Sequence, residues 1–307
     1  MSRTAGIVVA RTGSTRVPGK ALLDLAGKPA LWHVMQAALA IRGLDEVCLA
    51  TSDLKQDDAL EAIARGCGVR CFRGDPERVL DRVHGAAAMV RADVIVDIGG
   101  DCPLLDPAVI ERALAEFRAQ PCDYLSNYEP PTFPEGLDVN IITHAALDIA
   151  FRKAVAPSQR IHPFSYLTRH PEEFRLRNFA MSPDLSTYHW SLDFPEDIEF
   201  VRLVFSKLYR GKPISMDDVL RLIERNPEAA ELNRALIKPV VKHAFWNSPG
   251  IIRDMHSDIK ALIDLAEAAA RSADHVAAER CYGEAARILV ELQRQAQHRA
   301  GGGNPGA

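Results

Sequence analysis

Apolar and polar positions alternate with two different periods along the first part of the chain. Runs of four to six mostly apolar residues are typical of buried strands, and the stretches between them have apolar residues at helical spacing. Such an order is typical of an α/β fold, in which βαβ units surround a mostly parallel central sheet. The pattern predicts strands at Gly6–Ala10, Glu46–Thr51, Val69–Phe72 and Val94–Ile98, and helices after Pro29, over Lys55–Arg65, over Glu77–Val90 and from Pro107 onward.

The middle of the chain has a different pattern. From Asp123 to Asp193 it predicts strands joined by long loops that are rich in proline, asparagine and aromatic residues. The last of these strands is predicted to end at Asp193, before a helix that Pro195 opens. Loops carried on a rigid sheet are where recognition usually takes place. Further helices are predicted at Met216–Glu224 and Pro227–Ile237, with irregular structure over Val240–Pro249.

The end of the chain predicts a separate helical unit. Two alanine-rich helices, at His256–Ala270 and Asp274–Gln297, carry apolar faces that can pack as an αα-hairpin. The glycine-rich end from Ala300 predicts disorder. We therefore expect one large α/β domain over residues 1–245, a helical extension over residues 250–299 and a disordered tail over residues 300–307.

Composition excludes several classes of protein. The 307 residues are 47% hydrophobic and 25% charged, as in a globular chain, and carry a formal net charge of −4 with no dense basic run, which argues against a nucleic-acid partner. No apolar run approaches the roughly 20 residues of a membrane-spanning helix, so membrane insertion is not expected. The first predicted strand follows the start without a signal-like segment, and the six cysteines lack zinc-like spacing. The expected location is the cytoplasm.

A loop with two glycines and three cations follows the first predicted strand. It reads Ala10-Arg11-Thr12-Gly13-Ser14-Thr15-Arg16-Val17-Pro18-Gly19-Lys20. Backbone N–H groups and fixed positive charges at a strand end can bind a polyphosphate. Gly13 and Gly19 are one residue too far apart for a P-loop, and no dinucleotide-binding glycine fingerprint is present. The alternative is a surface loop that happens to be basic.

Two aspartates are candidate metal ligands. Asp101 follows the predicted strand at Val94–Ile98 and two glycines, at the edge where open α/β sheets bind their ligands. Asp193 stands at the end of the other predicted strand. Asp101 could instead form only a turn, and Asp193 could be only the N-cap of the following helix.

These segments together resemble the cytidylyltransferases that make CMP-linked ulosonic and nonulosonic acids, and most closely the SpsF-like branch of spore coat polysaccharide biosynthesis. The resemblance covers about residues 5 to 240. It implies a Rossmann-like nucleotidyltransferase fold of the GT-A-like type, with residues 1–245 as the nucleotide-binding domain. The motifs are the loop after the first strand, Gly100-Asp101-Cys102-Pro103-Leu104, Ser126-Asn127-Tyr128, Pro134-Glu135-Gly136-Leu137-Asp138-Val139, Arg160-Ile161-His162-Pro163-Phe164-Ser165-Tyr166 and Trp190–Asp193.

The activity that the resemblance implies is transfer of CMP from CTP to a hydroxyl of an acidic sugar, with release of pyrophosphate and dependence on Mg²⁺. Arg16, Lys20 and Asp101 are the expected catalytic residues, because charge develops on phosphate oxygens during in-line attack. Mg²⁺ prefers oxygen ligands, which Asp101 and Asp193 offer. The expected nucleotide-binding residues are Ala10, Arg11, Gly13, Ser14, Thr15, Arg16, Lys20, Gly100 and Asp101.

Acceptor recognition is expected in the loop-rich middle of the chain. Arg160 would pair with an acceptor carboxylate through two parallel hydrogen bonds. His162 could instead only cap a helix, and Tyr166 could belong to the core. Asp138 stands within an apolar run, where an ionised side chain is rarely buried without a partner. The residues that match the acceptor side are Asn127, Glu135, Asp138, Arg160, His162, Tyr166 and His189.

Three departures from the family leave the acceptor open. The family commonly has Glu at the positions of Asn140 and Ile161 and Arg at that of His189, so each change removes a charge when His189 is neutral. One alternative is a sugar-1-phosphate nucleotidyltransferase that uses another nucleoside triphosphate. Another is a non-catalytic glycan-assembly protein with a vestigial nucleotide site. A homodimer is expected, and the C-terminal hairpin is a candidate docking site for a protein partner.

Overall fold

The structure is a computed structural model that describes residues 2–14, 16–232 and 249–301. Its strands are β1 (Thr4–Val9), β2 (Asp24–Leu25), β3 (Lys28–Pro29), β4 (Glu46–Ser52), β5 (Arg70–Gly74), β6 (Val94–Gly99), β7 (Tyr124–Ser126), β8 (Asn140–Thr143) and β9 (Leu176–Asn178). Its helices are α1 (Ala30–Ala40), α2 (Asp58–Gly66), α3 (Val79–Val90), α4 (Pro107–Ala119), α5 (His144–Lys153), α6 (Pro157–Ile161), α7 (Ser165–Arg169), α8 (Pro195–Leu208), α9 (Met216–Arg225), α10 (Pro227–Glu231), α11 (Pro249–Arg271) and α12 (His275–Gly301).

A seven-stranded sheet forms the centre of the fold, in the order β5-β4-β1-β6-β8-β7-β9. The strands β5, β4, β1 and β6 are parallel, and β8 runs antiparallel to both of its neighbours. The prediction of an α/β fold with a mostly parallel sheet is confirmed. Because β1 and β6 are adjacent and parallel, the loops that follow them leave the same edge of the sheet.

Helices cover both faces of this sheet. Along β1, Ile7 packs with α3, α5 and α7 on one face, while its neighbour Val8 packs with α1, α4 and α8 on the other. Both side chains are fully buried, as the two-residue period of a strand between two helical layers requires. The loops at the sheet edge therefore rest on a rigid base.

The prediction of strands and long loops from Asp123 to Asp193 is wrong in part, because three helices lie within this segment. The N-cap of α5 is Thr143, whose hydroxyl accepts a hydrogen bond from the Ala146 N–H at 3.2 Å. The helices α6 and α7 have five residues each, too few to show a helical period in the sequence.

The predicted strand that ends at Asp193 is absent: Trp190–Asp193 is irregular, and only an isolated bridge joins His189 to Glu135. Its backbone hydrogen bonds go elsewhere. The Leu192 N–H bonds to the Asp101 carbonyl at 2.9 Å, and the Asp193 N–H bonds to the side chain of Asp197. These bonds satisfy the backbone without a strand ladder.

The C-terminal helices form the predicted pair and pack against α6. Their shared apolar core includes Met255, Leu262 and Ile288, together with Ala156 at the start of α6. The segment Val240–Pro249, predicted as irregular, lies outside the described residues except for Pro249, and so do residues 302–307 of the expected tail. No helix in the described part of the chain is long and apolar enough to cross a bilayer.

Candidate active site

A pocket of about 280 Å³ opens at the sheet edge where β1 and β6 end. Eight of the nine expected nucleotide-binding residues line it, and the ninth, Thr15, lies outside the described residues. The pocket is lined by Val9, Ala10, Arg11, Gly13, Ser14, Arg16, Lys20, Ala21, Val79, Arg82, Gly100 and Asp101.

The two strand ends meet closely at Gly100. Its N–H donates to the carbonyl oxygen of Val9 at 2.9 Å. A Cβ atom at this position would lie 2.6 Å from the Cβ of Ala10 and 2.7 Å from that carbonyl oxygen. Only glycine therefore allows the loop that carries Asp101 to lie beside the loop that follows β1.

Asp57 anchors the loop after β1, a role that the sequence analysis missed. This fully buried carboxylate accepts hydrogen bonds from the Thr12 N–H at 2.8 Å, from the Thr12 hydroxyl at 2.6 Å and from the Ser52 hydroxyl. Burial alone would raise the pKa of Asp57, but these hydrogen bonds lower it below its usual value. Asp57 therefore stays ionised and holds the start of the loop in place.

Lys20 joins the two predicted metal ligands. Its Nζ lies 2.6 Å from an oxygen of Asp101 and 3.0 Å from an oxygen of Asp193. Arg16 reaches the same Asp193 oxygen at 2.6 Å. Burial lowers the pKa of Lys20, but the two carboxylates outweigh this effect and raise it. Burial raises the pKa of Asp193, while Lys20 and Arg16 lower it by more. Carboxylates from distant parts of the chain thus meet on one face.

Two sets of side chains could hold a metal ion. One ammonium group contacts both Asp101 and Asp193, so their carboxylates face the same point and form the first candidate set. The second set is Glu135, His189 and Asp193, whose ligand atoms lie within 4.8 Å of one another. Burial lowers the pKa of His189, but Asp197 and Glu135 raise it to about 10. An imidazolium has no lone pair for a metal, so the oxygen-only pair fits Mg²⁺ better.

His189 is the centre of a buried network behind Asp193. Its Nδ1 lies 2.8 Å from Glu135 and its Nε2 lies 3.2 Å from Asp197. Asp197 is fully buried and also accepts the N–H groups of Asp193 and Phe194, at 2.9 and 2.8 Å. Asp193 is therefore not the N-cap of α8, which is Phe194. The raised pKa means that His189 carries a positive charge at neutral pH.

The residues expected to bind the acceptor fall into two groups. Glu135 and His189 lie beside Asp193. Asp138 belongs to the same group because the charges of Glu135, Asp101 and Asp193 act on it. Burial raises the pKa of Asp138 to about 7, and the charges of Glu135 and Asp101 contribute. Asp138 and Asp101 are thus near enough for their charges to interact.

The second group makes structural contacts away from the pocket. The Asn127 amide bonds to backbone groups of Leu137 and Val139, both at 2.9 Å. Arg160 pairs with Asp81 at 2.8 Å and donates to the Ala154 carbonyl at 2.9 Å. His162 is the C-cap of α6, and Tyr166 is buried with its ring stacked on His170. None of the seven residues expected to bind the acceptor, in either group, lines the pocket described above.

Asn140 and Ile161, two of the expected departures from the family pattern, have different surroundings. Asn140 is buried at the start of β8 and accepts a hydrogen bond from the Tyr124 hydroxyl at 2.5 Å. Ile161 is 37% exposed at the end of α6. Asn140 therefore has a structural partner, whereas Ile161 is a surface position.

Four residues of the pocket were missed by the sequence analysis, and two of them, Val9 and Ala21, adjoin the predicted loop. Val79 and Arg82 reach the pocket from the first turn of α3. Arg82 is 1% exposed and shares a helix face with the buried residues Val83 and Ala86. A cation among the core positions of an amphipathic helix is the signal that could have identified it.

Comparison with known proteins agrees with this arrangement. Residues 5–225 match the family described as Cytidylyltransferase. The spore coat polysaccharide biosynthesis protein SpsF of Bacillus subtilis is 32% identical over 231 residues, which cover 73% of this chain and 95% of that protein. A 3-deoxy-manno-octulosonate cytidylyltransferase of Escherichia coli is 37% identical over 121 residues, which cover 39% of this chain and 48% of that protein.

A solved structure extends the match to three dimensions. The structure of a cytidylyltransferase from Leptospira borgpetersenii superposes with a TM-score of 0.72 at 28% identity, covering 75% of this chain and 97% of that chain. The family match spans well over half of the sequence, and the pocket lies inside it. The chain therefore belongs to the cytidylyltransferase family, whose members are CTP-dependent nucleotidyltransferases.

Proposed function

We propose that this protein transfers CMP from CTP to a hydroxyl of an acidic sugar, with release of pyrophosphate, in the biosynthesis of a surface polysaccharide or glycan. Family membership supports CTP as the donor. The names of the similar proteins, SpsF and 3-deoxy-manno-octulosonate cytidylyltransferase, support a sugar acid and polysaccharide synthesis. The observation that carries the proposal is the contact of Lys20 with both Asp101 and Asp193 beside the loop after β1.

The cations of the loop serve the phosphates. The oxygen of the acceptor hydroxyl forms a bond to the α-phosphorus and gives its proton to solvent. The bond between the α-phosphorus and the oxygen that bridges it to the β-phosphate breaks, and pyrophosphate leaves with the electron pair of that bond. Arg16 and Lys20 reach the pocket and can stabilise the negative charge that develops on these oxygens. Arg16 also stacks on the Phe194 ring, with its guanidinium carbon 5.0 Å from the ring centre, which limits its freedom.

Asp101 and Asp193 are the residues proposed to hold Mg²⁺. Both offer carboxylate oxygens, and both now share Lys20. When bound, Mg²⁺ supplies Lewis-acid stabilisation of charge on phosphate oxygens. Lys20 compensates the two carboxylates when no phosphate is present, and it can pair with phosphate oxygens when CTP enters.

Of the residues expected on the acceptor side, we propose that Glu135, Asp138 and His189 bind the acceptor. Carboxylates accept hydrogen bonds from sugar hydroxyls, and the protonated imidazole of His189 is the cation on this side of Asp193. Arg160 is paired with Asp81, so its proposed role toward an acceptor carboxylate requires that pair to open. The roles of Asn127, His162 and Tyr166 toward the acceptor stay predictions.

Pyrophosphate release tests the proposed reaction. The purified chain is incubated with CTP, Mg²⁺ and a panel of ulosonic and nonulosonic acids, with EDTA in place of the metal as a control. We expect release with at least one acid, only with metal present. Thermal unfolding with the four nucleoside triphosphates tests the donor, since a ligand at 100 times its dissociation constant adds about 2.7 kcal/mol. Absence of pyrophosphate with every acid contradicts the proposal.

The expected homodimer and a protein partner for the C-terminal hairpin stay predictions. Sedimentation of the full chain tests the homodimer, and sedimentation of a chain that ends before residue 249 tests whether the hairpin is needed for it.

A further inference from the structure

Asn127 directly follows β7 and extends the pairing of β7 with β8 beyond the end of the strand. The last residue of β7, Ser126, pairs with the first residue of β8. Next to this pair, the side-chain amide of Asn127 takes the place of a backbone amide. Its Nδ2 donates to the carbonyl oxygen of Leu137, and its Oδ1 accepts the N–H of Val139, both at 2.9 Å. The side chain therefore binds the main chain on both sides of Asp138.

The surroundings of Asn127 favour an action through Asp138 over a direct contact with a ligand. Asn127 is 4% exposed, and the oxygen and the nitrogen of its amide both bond to the main chain. Leu137 and Val139 are fully buried in the core, whereas Asp138 between them is partly exposed. Because both neighbours of Asp138 are fixed in the core, the direction of its side chain is restricted.

The other end of this segment is fixed as well. The N–H of Glu135 donates to the carbonyl oxygen of Tyr188 at 3.0 Å, and the N–H of Trp190 donates to the carbonyl oxygen of Glu135 at 2.7 Å. Gly136 has a φ of +100°, and a Cβ atom at this position would lie 2.7 Å from the backbone nitrogen of Ser191. Glycine is needed for this close approach. The segment is therefore held at both of its ends.

Asp138 depends on this support because its neighbours repel it. The charges of Glu135, Asp101 and Asp193 all act on Asp138, and in the described part of the chain no cation forms an ion pair with it. A carboxylate that is repelled in this way gains free energy when it turns toward solvent. The two hydrogen bonds of Asn127 oppose that movement, since they fix the main chain that carries the carboxylate.

We propose that Asn127 is a positioning residue, which holds the carboxylate of Asp138 where it accepts a hydrogen bond from a hydroxyl of the acceptor. This inference rests on the proposed function, in which Asp138 binds the acceptor. Asn127 needs no contact with the acceptor or with CTP for this role. A displacement of about 1 Å in a group that orients a substrate can lower the rate about 100-fold.

A double-mutant cycle tests whether Asn127 acts through Asp138. For Asn127→Ala, Asp138→Ala and the double variant we measure kcat/KM with an acid that the wild type uses, and the Kd of CTP. We expect Asn127→Ala to lower kcat/KM for the acceptor by about 10- to 100-fold and to change the Kd of CTP by less than about twofold. In the Asp138→Ala protein, the same substitution should have almost no further effect on kcat/KM. Losses that multiply overturn the inference.

Asn226→Ala is the matched control for the loss of a side-chain amide. The Nδ2 of Asn226 likewise donates to a backbone carbonyl, that of Leu222 at 2.9 Å, at the end of α9. This variant should keep the kcat/KM of the wild type, and a loss equal to that of Asn127→Ala overturns the inference. Asn127→Asp keeps the shape of the side chain and the acceptor for the Val139 N–H, so the cycle is repeated with it if Asn127→Ala does not fold.

The position of Asp138 can also be measured without turnover, from the ¹³C signal of its carboxyl group in EDTA. Burial, and then Glu135 and Asp101, raise the pKa of Asp138 to about 7. A carboxylate that has turned toward solvent should titrate nearer the ordinary value of about 4. We therefore expect Asn127→Ala to lower the midpoint by at least about one pH unit, and Asn226→Ala to leave it unchanged.

The two measurements separate this inference from the proposed reaction. A midpoint that Asn127→Ala leaves unchanged overturns the inference, whether or not any acid is used. A lowered midpoint without pyrophosphate release with any acid supports the positioning of Asp138 by Asn127 and contradicts the proposed reaction. Pyrophosphate release that is as fast in Asn127→Ala as in the wild type contradicts this inference alone.

Discussion

Asp101 has an oxygen 2.6 Å from Lys20 and a third of its side chain exposed to solvent at the pocket. Its carboxylate can therefore be removed without leaving a cavity in the core. We expect Asp101→Asn to lower kcat for pyrophosphate release by at least about 100-fold, because one of two proposed metal ligands loses its charge. The melting temperature should stay near that of the wild type. Asp217→Asn, an exposed residue in the first turn of α9, is the matched control, and full activity of Asp101→Asn would remove the metal assignment.

Asp138 predicts a pH-dependent stability. Its folded-state pKa of about 7 lies above the ordinary value near 4, so the folded protein binds the proton more tightly than the unfolded chain does. Ionisation of Asp138 therefore costs stability as the pH rises from about 4 to 7. At pH 8 we expect Asp138→Asn to raise the free energy of unfolding by about 1–2 kcal/mol, a value reduced for partial exposure, and the gain should vanish toward pH 4.

Urea unfolding in EDTA at pH 5 and pH 8 measures this difference. Asp53→Asn, at an exposed position after β4, controls for the general effect of removing a negative charge. A less stable Asp138→Asn protein at pH 8 would contradict the burial of an unfavourable charge at this position.

The segment from His189 to α8 depends on a protonated histidine between two carboxylates. The folded-state pKa of about 10 lies above the ordinary value of 6.5, so the stability that His189 contributes is complete below pH 6.5 and is lost as the pH rises through about 10. His189→Gln leaves the fully buried Asp197 without its cation. At pH 7 we expect this variant to lose about 3–5 kcal/mol of unfolding free energy, and His189→Arg to lose less.

Denaturant unfolding at pH 7 and pH 10.5 measures both variants against the wild type. The difference between wild type and His189→Gln should be large at pH 7 and smaller at pH 10.5, where the imidazole is neutral. An equal difference at the two pH values would show that packing, and not charge, accounts for the role of His189.

Local sequence signals predict the elements that carry the loop after β1 and Asp101. The strand β1 and the glycines and cations that follow it, as far as Lys20, form one continuous stretch of sequence. Asp101 follows a strand with a recognisable buried pattern. The loop and Asp101 could therefore be predicted from the sequence. The helices α6 and α7 could not, because five residues do not complete two helical turns.

Contacts between residues that are distant in the sequence explain the other features that could not be predicted. Asp57 meets Thr12 across 45 positions of the sequence, and the bonds of Asp193 and Phe194 to Asp197 replace the strand that the apolar pattern indicated. The orientation of Arg82 depends on two carbonyl groups of the loop after β5. Such partners are set by tertiary packing, which overrides local preference.

The helical pair α11 and α12 lies beyond the residues that match the family, yet it is joined to the part that carries the pocket. Asp258 of α11 accepts the N–H of Ser158 at 3.0 Å and also its hydroxyl. Glu284 of α12 contacts Gln159 at 2.5 Å and His170 at 3.1 Å. These contacts hold α6 and α7, and α6 in turn reaches α3, the helix that lines the pocket.

Asp258 is the residue through which this connection can be tested. It is 1% exposed, and its removal leaves the Ser158 N–H and hydroxyl without this acceptor and takes away the carboxylate that lies 3.7 Å from Arg169. We expect Asp258→Ala to lower the free energy of unfolding by about 2–4 kcal/mol, because two buried donors lose an acceptor. Asp264→Ala removes an exposed carboxylate from the same helix and should have almost no effect.

Hydrogen exchange distinguishes a local from a global effect of Asp258→Ala. Protection of the amides in α6, α7 and α11 should fall by more than the loss of global stability. Protection of the amides in β1 and β4, at the centre of the sheet, should fall only by as much as the global stability does. A faster exchange at the start of α3 would extend the effect to the pocket, since Asp81 there pairs with Arg160 of α6. Unchanged exchange in α6 and α7 would mean that Asp258 does not hold these helices, and that the hairpin is bound to the rest of the molecule by its apolar contacts with Ala156.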